Sequence, residues 1–173
     1  VILSRVVGMF SDLKSEHGIR VVLDVADVPL LSDAYVVRGH DGSLEQVATN
    51  LVDNACSFSR SGDVVTVALR PLGNDVEFTV EDQGPGIPGD KLEKVFERFY
   101  SDRPQTDQTK GRNSGLGLSI SRNIVKALGG RIWAENIGPD GAGAFGTDAK
   151  PKGARFTVRL PALRYAAPMT RRG

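Results

Sequence analysis

Two apolar runs, residues 64–69 and 76–80, are separated by only Arg70-Pro-Leu-Gly-Asn-Asp75, a link rich in turn formers. A parallel return needs a crossover of a dozen residues or more, so a link this short makes the two runs an antiparallel hairpin. Along the second run Val76, Phe78 and Val80 point one way, and Glu77, Thr79 and Glu81 the other. Such alternation describes a sheet with one face on a core and one face toward water. Whatever else the chain does, it must cover the apolar face with a second layer.

The remaining periodicity supplies that layer. Ile2, Val6, Met9 or Phe10, and Leu13 recur at helical spacing, with Gly18 placed as a C-terminal cap. Residues 19–25 read as a strand, and Tyr35, Val36 and Val37 as a short second one closed by Gly39. Asp41 or Ser43 can cap a helix whose apolar face is Leu44, Val47, Ala48, Leu51, Ala55 and Phe58. A short helix carries Leu92, Val95, Phe96 and Phe99, and a polar stretch, 101–113, reads as a mobile loop. Ser114 can cap a third long helix bearing Leu116, Ile120, Ile124 and Leu128 and ending at Gly129 and Gly130. Residues 131–135 read as a strand, 136–153 as a second glycine-rich loop, and 154–160 as the last strand. The expected fold class is α+β: a two-layer sandwich with a mixed, mainly antiparallel sheet and helices on one face.

A chain of 173 residues suits one domain, expected over 1–162, with 163–173 expected as a basic, poorly ordered tail. One cysteine excludes an internal disulfide framework and a multi-cysteine zinc site, and two histidines leave little for a histidine-ligated metal. A net charge of +1 does not suggest nucleic acid as a partner. No apolar run approaches the roughly 18–20 residues of a membrane span. The chain begins Val-Ile-Leu without an initiator Met, which suggests a processed or excised piece. Glycine is the outlier, 20 of 173 residues or about 12%, and it is clustered rather than periodic.

Three polar clusters carry chemistry. Asn50 and Asn54 lie four apart on the second helix, so both carboxamides project to one side. Neutral amide oxygens suit Mg²⁺, which takes one or two protein ligands and fills its shell with phosphates and water. Asp82-Gln-Gly84-Pro-Gly86-Ile87-Pro places a carboxylate at a strand end, where it can accept from an exocyclic amine such as that of adenine. The glycines after it let a base approach the backbone. Ser114-Gly115-Leu116-Gly117-Leu118 opens the third helix with exposed backbone N–H groups, an anion site suited to phosphates. Taken singly, the clusters are better read as a solvated helix face, a Gly/Pro turn and a loosened helix cap.

In this order and spacing they resemble the N, G1 and G2 boxes of the catalytic, ATP-binding domain of bacterial sensor histidine kinases. That fold, of Bergerat type, is shared with gyrase-type ATPases and Hsp90. Val95-Phe-Glu-Arg-Phe-Tyr100 resembles the F box, and residues 131–135 and 153–161 resemble the closing strands. The resemblance implies Mg²⁺ and ATP as cofactors, with Asn54 the metal ligand and Asn50 supporting metal or phosphates. It implies that Asp82 holds the adenine amine, that Gly84 and Gly86 make room for the base beside Ile87, and that Phe58 packs near it. Tyr100 would lie at the mouth of a lid, 101–113, whose hinge at Ser114, Gly115, Leu116, Gly117 and Leu118 folds over the triphosphate. Hydrolysing relatives carry a Glu where this chain has Asn50, and an amide cannot act as a base near neutral pH. The resemblance therefore implies a protein-histidine kinase that awaits an imidazole nucleophile. The alternatives are a degenerate ATP-binding module, or an ATPase or serine kinase of the same superfamily.

The sequence departs from the family pattern at Ser57, usually Lys, at Ser101, often Arg, at Arg112 and Asn113, usually glycines, and at Arg155, commonly Thr. Arg98, Arg103, Lys110 and Arg112 are the cations placed to compensate. Neither His17 nor His40 matches the family's phosphoacceptor. The expected partners are thus a phosphoacceptor histidine domain elsewhere in the same protein and a downstream response regulator. The resemblance implies a monomeric fragment, a homodimeric whole, and a cytoplasmic domain of a protein that an inner-membrane anchor would hold.

Overall fold

A computed structural model describes residues 1–26, 35–100, 116–138, 143–144 and 150–163. Helix α1 (Ile2–Ser15) leads to strand β1 (Arg20–Val25), helix α2 (Asp41–Ser57), and the hairpin β2 (Val64–Leu72) and β3 (Asp75–Glu81). Two 3₁₀ turns, Gly89–Lys91 and Lys94–Phe96, precede helix α3 (Gly117–Ala127). Strands β4 (Arg131–Ile137), β5 (Gly143–Ala144) and β6 (Gly153–Pro161) complete the order. The six strands form one sheet in the order β1-β2-β3-β6-β4-β5. Among the described residues only β1 and β2 pair in parallel, and the other four pairings are antiparallel. The α+β class and mixed, mainly antiparallel sheet are as the sequence leads one to expect.

The hairpin is longer than the turn residues suggest. Leu72 pairs with Asp75, so only Gly73 and Asn74 turn, and Pro71 is inside β2. Its missing N–H is tolerated because the pairing with β1 has already ended at Leu69. Val65, Val67, Val76, Phe78, Val80, Phe156, Val158 and Leu160 share one core with Val6, Phe10, Val47, Leu51, Val52 and Val125 of the helices. Leu51, Val47 and Val52 are fully buried, each contributing about 1.5–3 kcal/mol of transfer free energy.

The outer face of the sheet is a lattice of charge. Arg155 of β6 donates to Glu81 of β3 and Glu135 of β4, and Arg159 donates to Glu77. The guanidinium groups of Arg131 and Arg159 lie 5.7 and 5.2 Å from the centre of the Trp133 ring. Arg155, one of the departures from the family pattern, is thus an outer-face residue, bridging two carboxylates across three strands.

Several local expectations are corrected. Among the described residues, 35–37 make no strand, only an isolated bridge from Val37 to Ala162 with the Leu163 N–H on the Val36 carbonyl, which is too short a pairing to extend the sheet. The short helix is two separate 3₁₀ turns, as four apolar residues do not sustain an α-helix between a proline-rich loop and Phe99. Phe99 itself has φ +62° and is 70% exposed. Helix α2 begins at Asp41 with His40 as N-cap, and neither Asp41 nor Ser43 supplies a capping side chain. Helix α3 begins at Gly117 with Leu116 as N-cap, while Ser114 lies outside the described residues. On α1 the buried position is Phe10, with Met9 and Leu13 exposed. Phe58 is 37% exposed, and Val52 takes the core position that was missed. Asn136 belongs to β4 rather than to the following loop. Leu163, placed in the tail, donates its N–H to the Val36 carbonyl, and 164–173 lie outside the described residues. Among the described residues no helix is long and apolar enough to cross a membrane.

Candidate functional site

Helix α2 organises the site. Asn50, Asn54 and Phe58 occupy one stripe over two turns, about 12 Å along the axis at 1.5 Å per residue. Each end of the stripe meets a different element.

At the Phe58 end lies Asp82, just past β3 and only 3% exposed. Its Oδ1 accepts the backbone N–H of Gly84 at 2.8 Å and that of Ala154 at 3.2 Å. Among the described residues both bonds fall on Oδ1, leaving Oδ2 as an acceptor. Burial raises the Asp82 carboxyl above its ordinary range, with the two backbone donors pulling it down and Asp63 pushing it up. A buried carboxylate held by one oxygen, with the other available, is built to receive an N–H donor.

The loop after Asp82 is held tightly. A Cβ at Gly84 would lie 2.9 Å from the Phe58 carbonyl and 3.0 Å from Asp82 Oδ1, so this glycine lets the loop cross the end of α2. Gly86 has φ +79°, and a Cβ there would press on Pro151 and on Asn136 Oδ1. Protein fills the space beside both glycines, which gives them a packing reason in addition to the one proposed from sequence. Asn136 Oδ1 accepts from Ile87 N and its Nδ2 donates to Ile87 O, both at 2.7 Å, in the manner of a paired strand. Gln83 Oε1 accepts from Val64 N at 2.7 Å.

At the other end Asn50 meets the start of α3. Its Nδ2 donates to Gly117 O and to Ser121 Oγ, each at 3.2 Å. The side chain of Asn54, half-buried between the two ends, makes no hydrogen bond among the described residues, and Ser57 Oγ donates to the Asn54 carbonyl. Tyr100 packs on the core with its hydroxyl buried and unpartnered among the described residues. Arg98 sits over the Phe99 ring at 5.6 Å. Leu116 and Leu118 are half-buried at the first turn of α3. Ser114, Gly115, the lid at 101–113, and with it Arg103, Lys110 and Arg112, lie outside the described residues.

The structure thus brings Asp82, Gly84 and Phe58 together at one end of α2 and Asn50 and Gly117 at the other. Sequence reasoning missed Asn136, Ser121 and Gly153. By its composition Gly153 reads as the last residue of the glycine-rich loop 136–153. It is the first residue of β6, with φ +153°, and a Cβ there would overlap the Asp82 carbonyl oxygen. A strand-end Asn immediately after Glu135 was the available signal for Asn136; nothing local marked the other two.

Among the described residues no three His, Cys, Asp or Glu come together. Among the described residues of the α2 stripe, the oxygens open to a divalent cation are those of amides. Asn54 offers such an oxygen, since its carboxamide is partly sheltered and uncommitted.

The chain is 46% identical over 130 residues to the sensor protein ChvG of Agrobacterium fabrum, covering 75% of this chain and 20% of that protein. The structure superposes on a mycobacterial sensor histidine kinase, MprB, with a TM-score of 0.71 and 27% identity, covering 92% of this chain and 91% of that one. It superposes equally on full-length ShkA in complex with AMPPNP, with a TM-score of 0.71 and 27% identity over 97% of this chain and 31% of that one. The chain spans about a fifth of the length of the curated sensor proteins it matches first. Residues 39–164, from just before α2 to just past β6, match the family described as histidine kinase-, DNA gyrase B- and HSP90-like ATPase, and the chain belongs to that family.

Proposed function

We infer that this chain binds Mg-ATP along the α2 stripe and passes the γ-phosphate to a histidine. The observation that carries the reading is the polarity of the stripe. A buried carboxylate with a spare oxygen stands at one end, and the N-terminus of α3 at the other. One elongated ligand, with an amine-bearing base and an anionic tail, satisfies both.

In this reading Asp82 Oδ2 accepts from the adenine amine, while Phe58, Gly84, Gly86 and Ile87 frame the base. Asn54 holds Mg²⁺, whose charge offsets that of the phosphates when bound. Ser114, Gly115, Leu116, Gly117 and Leu118 offer backbone donors to the triphosphate, and Tyr100 stands at the lid's edge. Asn50 cannot take a proton from water, so it does not favour hydrolysis. The acceptor is a neutral imidazole. Its nitrogen bonds to the γ-phosphorus, the bond to the β,γ-bridging oxygen breaks, and ADP leaves with the electron pair. The imidazole proton then passes to solvent. What the chain supplies is positioning of the phosphoryl group.

The whole protein is proposed to carry the acceptor histidine in a dimerising domain outside this chain, to act on a response regulator, and to present this domain in the cytoplasm from a membrane anchor. Full-length ShkA with AMPPNP supports the nucleotide part of the reading. The test is calorimetric titration of a non-hydrolysable ATP analogue with and without Mg²⁺. The expected result is that Mg²⁺ tightens binding to the natural chain about tenfold or more, and that Asn54→Ala abolishes the Mg²⁺ increment while leaving metal-free binding within about twofold. An undiminished increment in Asn54→Ala removes Asn54 as the ligand.

A further inference from the structure

The position of Asn50 is set by a residue that no part of the proposed reading uses. Ser121 lies one turn into α3 and is fully buried. Its hydroxyl has one proton, and that proton is committed: Oγ donates to Gly117 O at 2.8 Å. Toward Asn50 the Ser121 oxygen can therefore only accept, and Gly117 O can only accept as well. Both sit 3.2 Å from Asn50 Nδ2. The amide of Asn50 has a single orientation that satisfies two acceptors, with its NH₂ toward α3. Turned over, its oxygen would face a carbonyl oxygen and a hydroxyl whose proton is spent. Among the described residues Oδ1 is left without a hydrogen bond.

The same network explains why an amide stands here. A carboxylate at position 50 would set a negative oxygen against the Gly117 carbonyl and the Ser121 lone pairs, a repulsion between acceptors in a partly buried place.

We propose that Ser121 is a positioning residue that fixes the Asn50 amide with its oxygen toward the metal and phosphate end of the site. This rests on the reading that Asn50 supports bound Mg²⁺ or phosphate. Ser121 touches neither nucleotide nor metal; it acts through Asn50, as outer partners orient ligands at metal sites.

The test is a double-mutant cycle on Ser121→Ala and Asn50→Ala, read as the Mg²⁺ concentration giving half-maximal tightening of ATP-analogue binding. Melting curves confirm folding, and Ser121→Cys keeps the volume with a much weaker acceptor should the alanine variant fail to fold. The expected result is a rise of about tenfold for Ser121→Ala, at least as large a rise for Asn50→Ala, and no further rise in the double variant. Metal-free binding should stay within about twofold in Ser121→Ala, which a general loosening of α3 would not leave intact. A rise for Asn50→Ala with none for Ser121→Ala or Ser121→Cys overturns the proposal and leaves the role of Asn50 standing. Additive rises overturn it too, since Ser121 would then act by another route. No rise in any variant removes Asn50 from the metal site, and the proposal with it.

Discussion

Asp82→Asn is expected to leave the domain folded and to weaken ATP-analogue binding about 100-fold, from a loss of roughly 2–3 kcal/mol for a charge-assisted hydrogen bond. The asymmetry of the carboxylate gives the reason. An asparagine can keep Oδ1 beneath the N–H groups of Gly84 and Ala154. Its NH₂ then replaces Oδ2 and sets a donor against the adenine amine. Stability should move the other way or not at all, because the substitution removes a buried charge. The sign with pH follows from the same burial. The folded pKa of Asp82 lies above its unfolded value. Its contribution to stability therefore grows as pH falls through the folded value, and is fully gained below the unfolded one. Affinity falls over that window, as the carboxylate that accepts the amine is protonated. Isothermal titrations across pH, read as the difference between natural chain and Asp82→Asn, isolate this residue from the titration of the nucleotide. A difference that does not shrink toward low pH would argue against the assignment.

The second large effect is on the fold. Gly153→Ala should destabilise the domain by about 3 kcal/mol and lower Tm by roughly 10 °C. At φ +153° an L side chain is strained, and its Cβ would overlap the Asp82 carbonyl oxygen. Relief requires β6 to move away from Asp82, but their backbones are joined: Asp82 N donates to Ala154 O at 3.0 Å. The displacement would also withdraw the Ala154 N–H from Oδ1. The variant should therefore lose affinity beyond what its stability change accounts for, measured below its transition temperature. Gly89→Ala is the control: a Cβ there meets nothing within 4 Å, so Tm should hold to within about 2 °C.

These two glycines show which parts of the molecule a sequence can reveal. Asp82, Gly84 and Gly86 stand in one short segment, so their association is local and readable. Gly153 and Asn136 act on the same loop from residues 49 and more than 70 positions away. Their roles arise only when β6 lies beside β3 and β4, and neither sits in a motif. The hairpin was legible because Val76, Phe78 and Val80 alternate with Glu77, Thr79 and Glu81. Its length was not, because Pro71 reads as a breaker until the end of β1 is known. Helix caps were misassigned because Asp41 and Ser43 favour cap positions only by propensity. Here the helix entry is set at His40, whose extended backbone puts Asp41 in the first turn. Ser121 was missed for another reason: at helical spacing it falls among Leu118, Ile124, Val125 and Leu128, so it reads as a small residue in the apolar stripe of α3, and only the approach of α2 brings its hydroxyl to Asn50.

The outer face shows a departure from the family pattern finding its explanation in structure. Arg155 stands where the resemblance leads one to expect Thr, and it bridges Glu81 and Glu135 on the outer face of the sheet. Ser57, where a Lys is usual, returns its hydroxyl to the Asn54 carbonyl and adds no charge. The anionic end of the proposed site thus depends on α3 and on the residues before it.

The central claim is that the site delivers phosphate to an imidazole and not to water. Single-turnover mixing of this chain with γ-labelled Mg-ATP, with and without a separate phosphoacceptor domain, measures that directly. The expected result is acid-labile label on the acceptor histidine, with release of inorganic phosphate slow when the acceptor is left out. Phosphate release equally fast without the acceptor, or tight nucleotide binding with no label on the histidine, would contradict it.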